Sequence, residues 1–538
     1  MLGTLLWAAL AVGVLSTQAY RMLTRFLWLL LHTYYRKIEL YGINNLPREG
    51  IVVLRMCVLV RLCMANTHCI SMATGPVILC PNHPNMLVDA LIVITECAQR
   101  GRDSYVWAKG SMFASPVGAF VCDKLGCVPV YRPPKTDANS LQDVDTNLSR
   151  EEIEAANRRM FERTWQVLAG GNLMLLFPEG TSYTAPKMLS LRTGVVRVAT
   201  GFAANYNQPI PIVPVGLTYF NKEHFRSQVM LEFGTPLVIT PEDVRSEAFA
   251  QDDHAEIKRM THLLEDKMHA ITLNASEFST IRVARVMRRL FLNTPGSIDA
   301  NKEVRLTQHI INLLERPVDP AQPEKHAQVD AIRAKVAKYK DDLDKLRIKD
   351  QDILLPIQKT SALQLFLERV LYLLVLLPLA TPGLLINFPY YFIGHKLNSL
   401  AGFVESKSMF KIFAAAVLVP VHWLAMIFVA WYVLGSSYAY TLAVSLPLLL
   451  YSYIRVLEES RSFVENVIFL FTIATHADKV ADIRKVRQAL AHEVYALVSA
   501  EVDAEFLSTV RESLSSSPTN QRSSLMRRNH STSDTFRM

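Results

Sequence analysis

"CPNHPNMLVDA", residues 80–90, decides how this chain is read. The apolar run "GPVILC" leads into it, and a helical stretch, 89–100, leads out of it. Between them sits His83, boxed by Asn82, Pro84 and Asn85, with Asp89 six positions further on. A structural core histidine sits among packing residues. This one sits at a strand exit, where side chains meet solvent or substrate. A regular helix would splay residues six apart, so if His83 and Asp89 meet, the stretch from 83 to 89 is a turn. Pro84 and Asn85 suit one.

Outward from this stretch, residues 75 to about 240 alternate short apolar strands with helical segments. The strands are "GPVILC", "SYVWAK", "GCVPVYR", "NLMLLF", "IPIVPVGLTYF" and "VMLEFGTPLVI"; the helices are 89–100, 149–169 and 188–203. The alternation predicts an α/β domain, a mostly parallel sheet flanked by helices.

The chain has 538 residues, half of them hydrophobic. Residues 1–20 carry no charged side chain, and 371–393, 411–434 and 437–454 are further apolar stretches. A spanning helix needs about 20 predominantly apolar residues, so all four are candidate membrane segments. "STQA" resembles a signal-peptide cleavage site, but no Lys or Arg precedes the apolar run. The positive charges at Arg21 and Arg25 come after it, which predicts an uncleaved anchor with the following chain in the cytosol. "FLWLLLHTYYRK", within 21–49, reads as a helix lying at the membrane interface. Pro378, Pro382 and Pro389 leave the first C-terminal segment open to a re-entrant hairpin. The net charge of +8 fits loops facing anionic headgroups. Seven cysteines, all before residue 128 and without a C-x-x-C pair, are neither a disulfide framework nor a zinc site.

Residues 241–355 carry helical patterning. Val329, Ile332, Val336, Tyr339, Leu343 and Leu346 form one apolar stripe on a charged helix, which predicts packing rather than chemistry. Past 456 the chain reads as soluble helix, and the Ser- and Arg-rich 515–538 as disordered. Residues 51–74 have no acid, Gly or Pro; excising them joins "NLPREG" smoothly to "GPVILCPNHPN". They read either as a membrane-contacting insertion or as a retained intron. The expected domains are 1–48 anchor and interfacial helix, 49–240 catalytic, 241–355 helical, 365–455 transmembrane, 456–514 helical and 515–538 tail.

Four elements occur in order: His83–x5–Asp89; "GCVPVYR", ending at Arg132; "LLFPEGTS", ending at Ser182; and "IPIVPVGL", 210–217. Each alone is weak, since a His near an Asp is more often a local hydrogen-bonded pair and "FPEG" more often a turn. The ordered set, each member at a strand end, is specific. It resembles the PlsC-type glycerolipid acyltransferase superfamily over residues 26–240. The His–Asp spacing is one residue longer than usual there, and "HPNMLVD" is similar to "H-A-N-Q-F-V-D" of the fungal-type glycerol-3-phosphate/dihydroxyacetone-phosphate acyltransferases. "LWLLLHTYYRKIELYGINNLP" and "PGLLINFP" resemble that subfamily too.

The resemblance implies acyl-CoA-dependent acylation of the sn-1 hydroxyl of glycerol 3-phosphate, with dihydroxyacetone phosphate as a second acceptor, at the endoplasmic reticulum membrane. It implies no cofactor, acyl-CoA being the co-substrate, and a multi-pass protein with a cytosolic site. The chemistry agrees. Taking a hydroxyl proton near neutral pH suits a neutral imidazole, held in one tautomer by an acceptor. His83 is then the base and Asp89 its orienter. The resemblance assigns acceptor binding to Arg132, Glu179 and Gly180, with Thr181 and Ser182 as donors. Arg192 matches a basic position of the family, and Lys187 is a weaker candidate. Glu179 would accept from a glycerol hydroxyl or pair with Arg132. Two rival readings stay open: an sn-2 lysophosphatidate acyltransferase, and a non-catalytic lipid-binding scaffold of the same fold. A transporter fits poorly, because three C-terminal apolar segments are few and, apart from His422, carry no charged interior residue of the kind ion pathways need. No second histidine stands at metal-ligand spacing, and no P-loop or dinucleotide fingerprint occurs. Nothing points to nucleic acid.

Overall fold

The computed structural model describes residues 2–46, 75–131, 150–294, 298–354, 359–400 and 402–516. The expectations for 51–74 and for most of the C-terminal tail lie outside the described residues. The chain forms two compact units: Met1–Thr184, Met188–Tyr219 and Val229–Thr272 make the first, and Ala185–Lys187, Phe220–Gln228 and Leu273–Met538 the second.

The first unit is built on an eight-stranded sheet. Its strands are β1 (Lys37–Tyr41), β2 (Val77–Pro81), β3 (Ser104–Lys109), β4 (Cys127–Val130), β5 (Leu173–Leu175), β6 (Ile210–Tyr219), β7 (Gln228–Phe233) and β8 (Leu237–Ile239). They lie in the order β1-β7-β6-β2-β5-β3-β4, with β8 also paired to β6. The run from β6 through β2, β5 and β3 to β4 is parallel; β7 and β8 run antiparallel to β6. The α/β sheet with flanking helices is as expected. The continuous apolar reading of β2, buried at every position, follows from helices covering both faces.

On one face, Ile78, Met174 and Ile212 pack against Met160 and Leu168 of α4 (Arg150–Ala169) and Val195, Val198 and Phe202 of α5 (Gly194–Tyr206). Three helices follow β8: α6 (Pro241–Val244), α7 (Glu247–Gln251) and α8 (Asp253–His269). Ile257, Met260 and Leu264 of α8 complete this core. The first unit therefore runs to Thr272, past the boundary expected at 240. The reason is that the α8 stripe buries against the sheet.

The expected anchor and interfacial helix are one element, α1 (Leu2–Tyr34). It packs on α2 (Leu87–Ala98), burying Leu27, Leu31 and Tyr34. Glu96 of α2, almost fully buried, takes the Trp28 indole N–H at 3.2 Å and the Arg100 guanidinium at 2.8 Å. Met22, Phe26 and Leu29 stay exposed on the other side of α1. A short helix, α3 (Pro116–Lys124), starts at Ser115, whose hydroxyl caps it by accepting from the Gly118 N–H.

In the second unit, α9 (Phe278–Leu292), α10 (Ala300–Leu314), α11 (Pro323–Leu346), α16 (Ala477–Ser499) and α17 (Ala504–Ser516) share one core. The α11 stripe lies in it as expected, with Leu346 partly buried. After α11, the turn α12 (Asp350–Ile353) brings Asp350 to Arg487, which grips it with Nε at 2.9 Å and Nη2 at 3.2 Å. Tyr339 donates to the same carboxylate at 2.6 Å. Three long helices lie between: α13 (Lys359–Leu400), α14 (Lys407–Leu434) and α15 (Ser436–Thr475). Among the described residues, α14 and α15 are long and apolar enough to cross a membrane. No re-entrant hairpin forms at the three prolines, because α13 runs through all of them as one helix. The β6–β7 loop, Phe220–Gln228, belongs to this unit. Lys407 and Lys411 reach the Glu223 carboxylate and carbonyl, and Arg226 reaches Glu458 at 2.6 Å.

Gly216 tests how tightly β6 is clasped. A Cβ there would stand 2.4 Å from the Ile271 carbonyl oxygen, and a backbone atom cannot step aside. Gly216→Ala is expected to destabilise the first unit by about 1–3 kcal/mol, as overpacking does. The check is the chemical-denaturation midpoint of the detergent-solubilised protein.

Candidate active site

The three adjacent central strands, β6, β2 and β5, deliver their carboxyl ends side by side. A ligand site is expected there in an open parallel sheet. The chain leaving β2 is Asn82–His83, that leaving β5 leads to Glu179, and β6 ends at Tyr219.

Asn82 extends the β2–β6 ladder with its side chain. Its Oδ1 accepts from the Leu217 N–H at 2.6 Å and its Nδ2 donates to the Leu217 carbonyl at 3.1 Å. His83 then leaves the sheet with its backbone fixed at both ends. Its N–H donates to Glu179 Oε1 at 2.8 Å, and its carbonyl accepts from the Tyr183 N–H at 3.2 Å. The chain turns through Pro84 and Asn85 to Met86, whose φ of 49° lies in the left-handed region. Such a conformation in a non-glycine residue costs on the order of 1–3 kcal/mol and needs over-determined surroundings. Ser182 supplies part of them, its Oγ accepting from the Met86 N–H at 2.9 Å. The helix α2 starts at Leu87, and its first turn carries Asp89 back beneath the histidine.

His83 Nδ1 lies 3.0 Å from Asp89 Oδ2. A carboxylate only accepts, so Nδ1 carries the proton and Nε2 presents the basic lone pair. The ring stacks on Phe177, centroids 4.0 Å apart and planes 24° apart. Asp89 is wholly buried. Besides His83 it accepts from the Asn85 N–H at 2.6 Å and the Tyr219 hydroxyl at 2.6 Å. Asn85 in turn donates from Nδ2 to the Tyr35 hydroxyl at 3.1 Å, which closes the turn against the end of α1.

The expected acceptor-binding residues divide. Gly180, at φ 72°, adopts a backbone that glycine favours, and a Cβ there would meet Arg192 Cδ at 2.8 Å. Arg192 thus lies across Gly180, exposed, its guanidinium without a partner among the described residues. Thr181 is exposed beside it, while the Ser182 hydroxyl is engaged by the turn. Glu179 departs from the expected role. It is buried, and its carboxylate holds the His83 N–H and, at 3.4 Å, the Leu189 N–H. Its two oxygens thus brace the histidine loop, a task beyond the acceptor binding expected of it. Lys187 is exposed. Arg132, the other expected phosphate ligand, lies outside the described residues. Among those described, no three His, Cys, Asp or Glu gather as a metal site. Asn82 and Asn85 were read from the sequence only as flanks of the turn, and Phe177 and Tyr219 were not singled out at all. Phe177 stands inside "LLFPEGTS" and Tyr219 closes "IPIVPVGLTY", so proximity to the motifs was the one signal available.

Known proteins resemble two stretches of the chain separately. The acyltransferase family profile matches residues 37–218, and the glycerol-3-phosphate acyltransferase 2 C-terminal domain matches 283–399. Residues 37–218 are thus similar to the acyltransferase family, and 283–399 to the C-terminal domain of glycerol-3-phosphate acyltransferase 2. Glycerol-3-phosphate O-acyltransferase 2 of Saccharomyces cerevisiae is 25% identical over 49% of this chain and 35% of its own length. Glycerol-3-phosphate O-acyltransferase 1 of the same yeast is 29% identical over 25% of the chain and 18% of its own length. An uncharacterized acyltransferase of Schizosaccharomyces pombe is 26% identical over 43% of the chain and 34% of its own length. The matched regions span about a third or less of these relatives. The matched stretch, 37–218, includes His83, Asp89, Glu179, Gly180 and Arg192 of this chain.

Burial pushes the Glu179 carboxyl above its ordinary value of 4.5, against the hydrogen bonds from the His83 and Leu189 backbones. A raised folded-state value contributes stability that is fully present below 4.5 and is lost as pH rises through the raised value. Glu179→Gln removes this titration. Raising the pH from below 4.5 toward neutral should therefore cost the wild type more stability than the Gln variant. Thermal melts of both proteins across that range check this; parallel curves would rule it out.

Proposed function

We propose that the protein is a membrane acyltransferase that moves a fatty acyl group from acyl-CoA to the sn-1 hydroxyl of glycerol 3-phosphate, with dihydroxyacetone phosphate as a second acceptor. The observation that supports this most is the His83–Asp89 pair: an imidazole fixed in one tautomer, its Nε2 unpartnered among the described residues, at the carboxyl ends of β2, β5 and β6. The names of the yeast relatives supply the acceptor.

In this reading His83 Nε2 takes the proton as the acceptor oxygen attacks the thioester carbonyl carbon. The C–O bond forms, the tetrahedral intermediate collapses, and the C–S bond breaks. The departing thiolate collects the proton from the imidazolium, giving free thiol and lysophosphatidate. No enzyme nucleophile is required, since the alcohol attacks directly and the thiolate is a good leaving group. Asp89 stabilises the imidazolium while it exists. Arg192, with Arg132, binds the acceptor phosphate, for which a guanidinium offers two parallel N–H donors. The exposed α1 residues and the apolar α14 and α15 hold the site at an endoplasmic reticulum membrane as a multi-pass protein, cytosolic face inward to the soluble acceptor.

His83→Ala is expected to lower kcat by about 10²–10⁴-fold, the range for losing a general base, without unfolding the protein. Radiolabelled acyl transfer, with glycerol 3-phosphate and lysophosphatidate offered separately, reads both the loss and the acceptor. Wild-type turnover in that variant would end the proposal; a preference for lysophosphatidate would move it to the sn-2 position. Arg192→Ala should raise KM for the phosphate acceptor by about tenfold, as losing a charge-assisted bond does, and leave acyl-CoA saturation alone. A change confined to acyl-CoA would show that Arg192 serves the donor instead.

A further inference from the structure

One buried group in the site has no task in this scheme. Tyr219 is the last residue of β6, 9% exposed, with its hydroxyl 2.6 Å from Asp89 Oδ1. The other oxygen of that carboxylate, Oδ2, serves both His83 Nδ1 and the Asn85 N–H. The terminal torsion of an aspartate is broad, so a carboxylate held by one oxygen can rock about it. A donor on the second oxygen fixes its plane. Tyr219 is itself constrained: its backbone is in register with Val229 of β7, and its ring meets that of Tyr35, centroids 5.9 Å apart. Burial and the neighbouring Asp89 charge push its phenol well above the ordinary value, so it stays a donor at working pH.

We propose that Tyr219 is a positioning residue for acyl transfer: by holding Asp89 Oδ1 it fixes the carboxylate plane, and through it the orientation of the His83 ring. This rests on the reading of His83 as the general base. Tyr219 acts on no substrate. Its effect is transmitted through Asp89, 130 positions earlier in the chain. Tyr35 lies in the same cluster but bonds the Asn85 amide, so it is the natural comparison.

The test uses the full chain in detergent micelles with glycerol 3-phosphate and acyl-CoA. Tyr219→Phe keeps the ring and removes the donor. Its kcat should fall by about 10- to 100-fold, the scale of a hydrogen bond to a charged group, with KM for both substrates unchanged. In an Asp89→Asn background the same substitution should cost little more, because no carboxylate is left to orient. Tyr35→Phe should slow kcat less than Tyr219→Phe. A wild-type kcat for Tyr219→Phe overturns the proposal. So does an equal loss in both backgrounds, or an equal loss from Tyr35→Phe, since either marks a general packing effect. A Tyr219→Phe chain that does not fold, judged by its melt and elution, marks a structural residue and overturns it too. Persistent turnover in His83→Ala would instead refute the acyl-transfer reading, and is seen independently of Tyr219.

Discussion

A single buried carboxylate organises the candidate site. Asp89 has no exposure to solvent, and it accepts from three donors: the His83 ring and the Asn85 backbone from its own turn, and the Tyr219 hydroxyl from the end of β6. An uncompensated charge at that depth is costly, so the donors are a condition of its being there. Meeting that condition sets much else. The chain must turn sharply between residues 83 and 89, which puts Met86 at positive φ. The turn must be braced, which takes Glu179 and Ser182 from the loop after β5. The β6 strand must end where its tyrosine reaches the carboxylate, and the parallel order β6-β2-β5 arranges that.

The division of labour among the charged and polar groups follows from burial. Groups inside the turn hold it in shape: Glu179 and Ser182 spend their bonds on backbone N–H groups, and Asn85 on Asp89 and the Tyr35 hydroxyl. Groups at its rim remain available: the Nε2 face of His83, and Arg192 lying over Gly180. Under the proposed acyl transfer, a rim guanidinium such as that of Arg192 suits a phosphate-bearing acceptor that arrives from water.

How much of this the sequence disclosed depends on the range of each interaction. Strands β2 to β6 and the helices α2 and α4 were legible because period and length are local properties. His83 and Asp89 were legible because a turn six residues long is local too, and chemistry restricts what an imidazole beside a carboxylate does. Tyr219 was not, since its partner lies 130 positions away and a tyrosine ending a strand is unremarked. Glu179 was assigned to substrate because "FPEG" shows only a carboxylate in a turn. Which way that carboxylate points is decided by closure of the β5 loop onto the β2 loop, 96 positions apart. The unity of α1 was missed for a different reason: its charges at Arg21 and Arg25 lie on one face and do not interrupt the helix.

The contact between Tyr35 and Asn85 has a practical bearing on preparation of the enzyme. The N-terminal helix ends in the hydroxyl that completes the buried turn, so it is as much a wall of the reaction centre as a tether. A fragment that begins after residue 36 would lose that wall and leave the Asn85 amide without the Tyr35 hydroxyl. A cut there trims the buried turn along with the helix, so a detergent or nanodisc preparation of the whole chain is the one that keeps the turn intact.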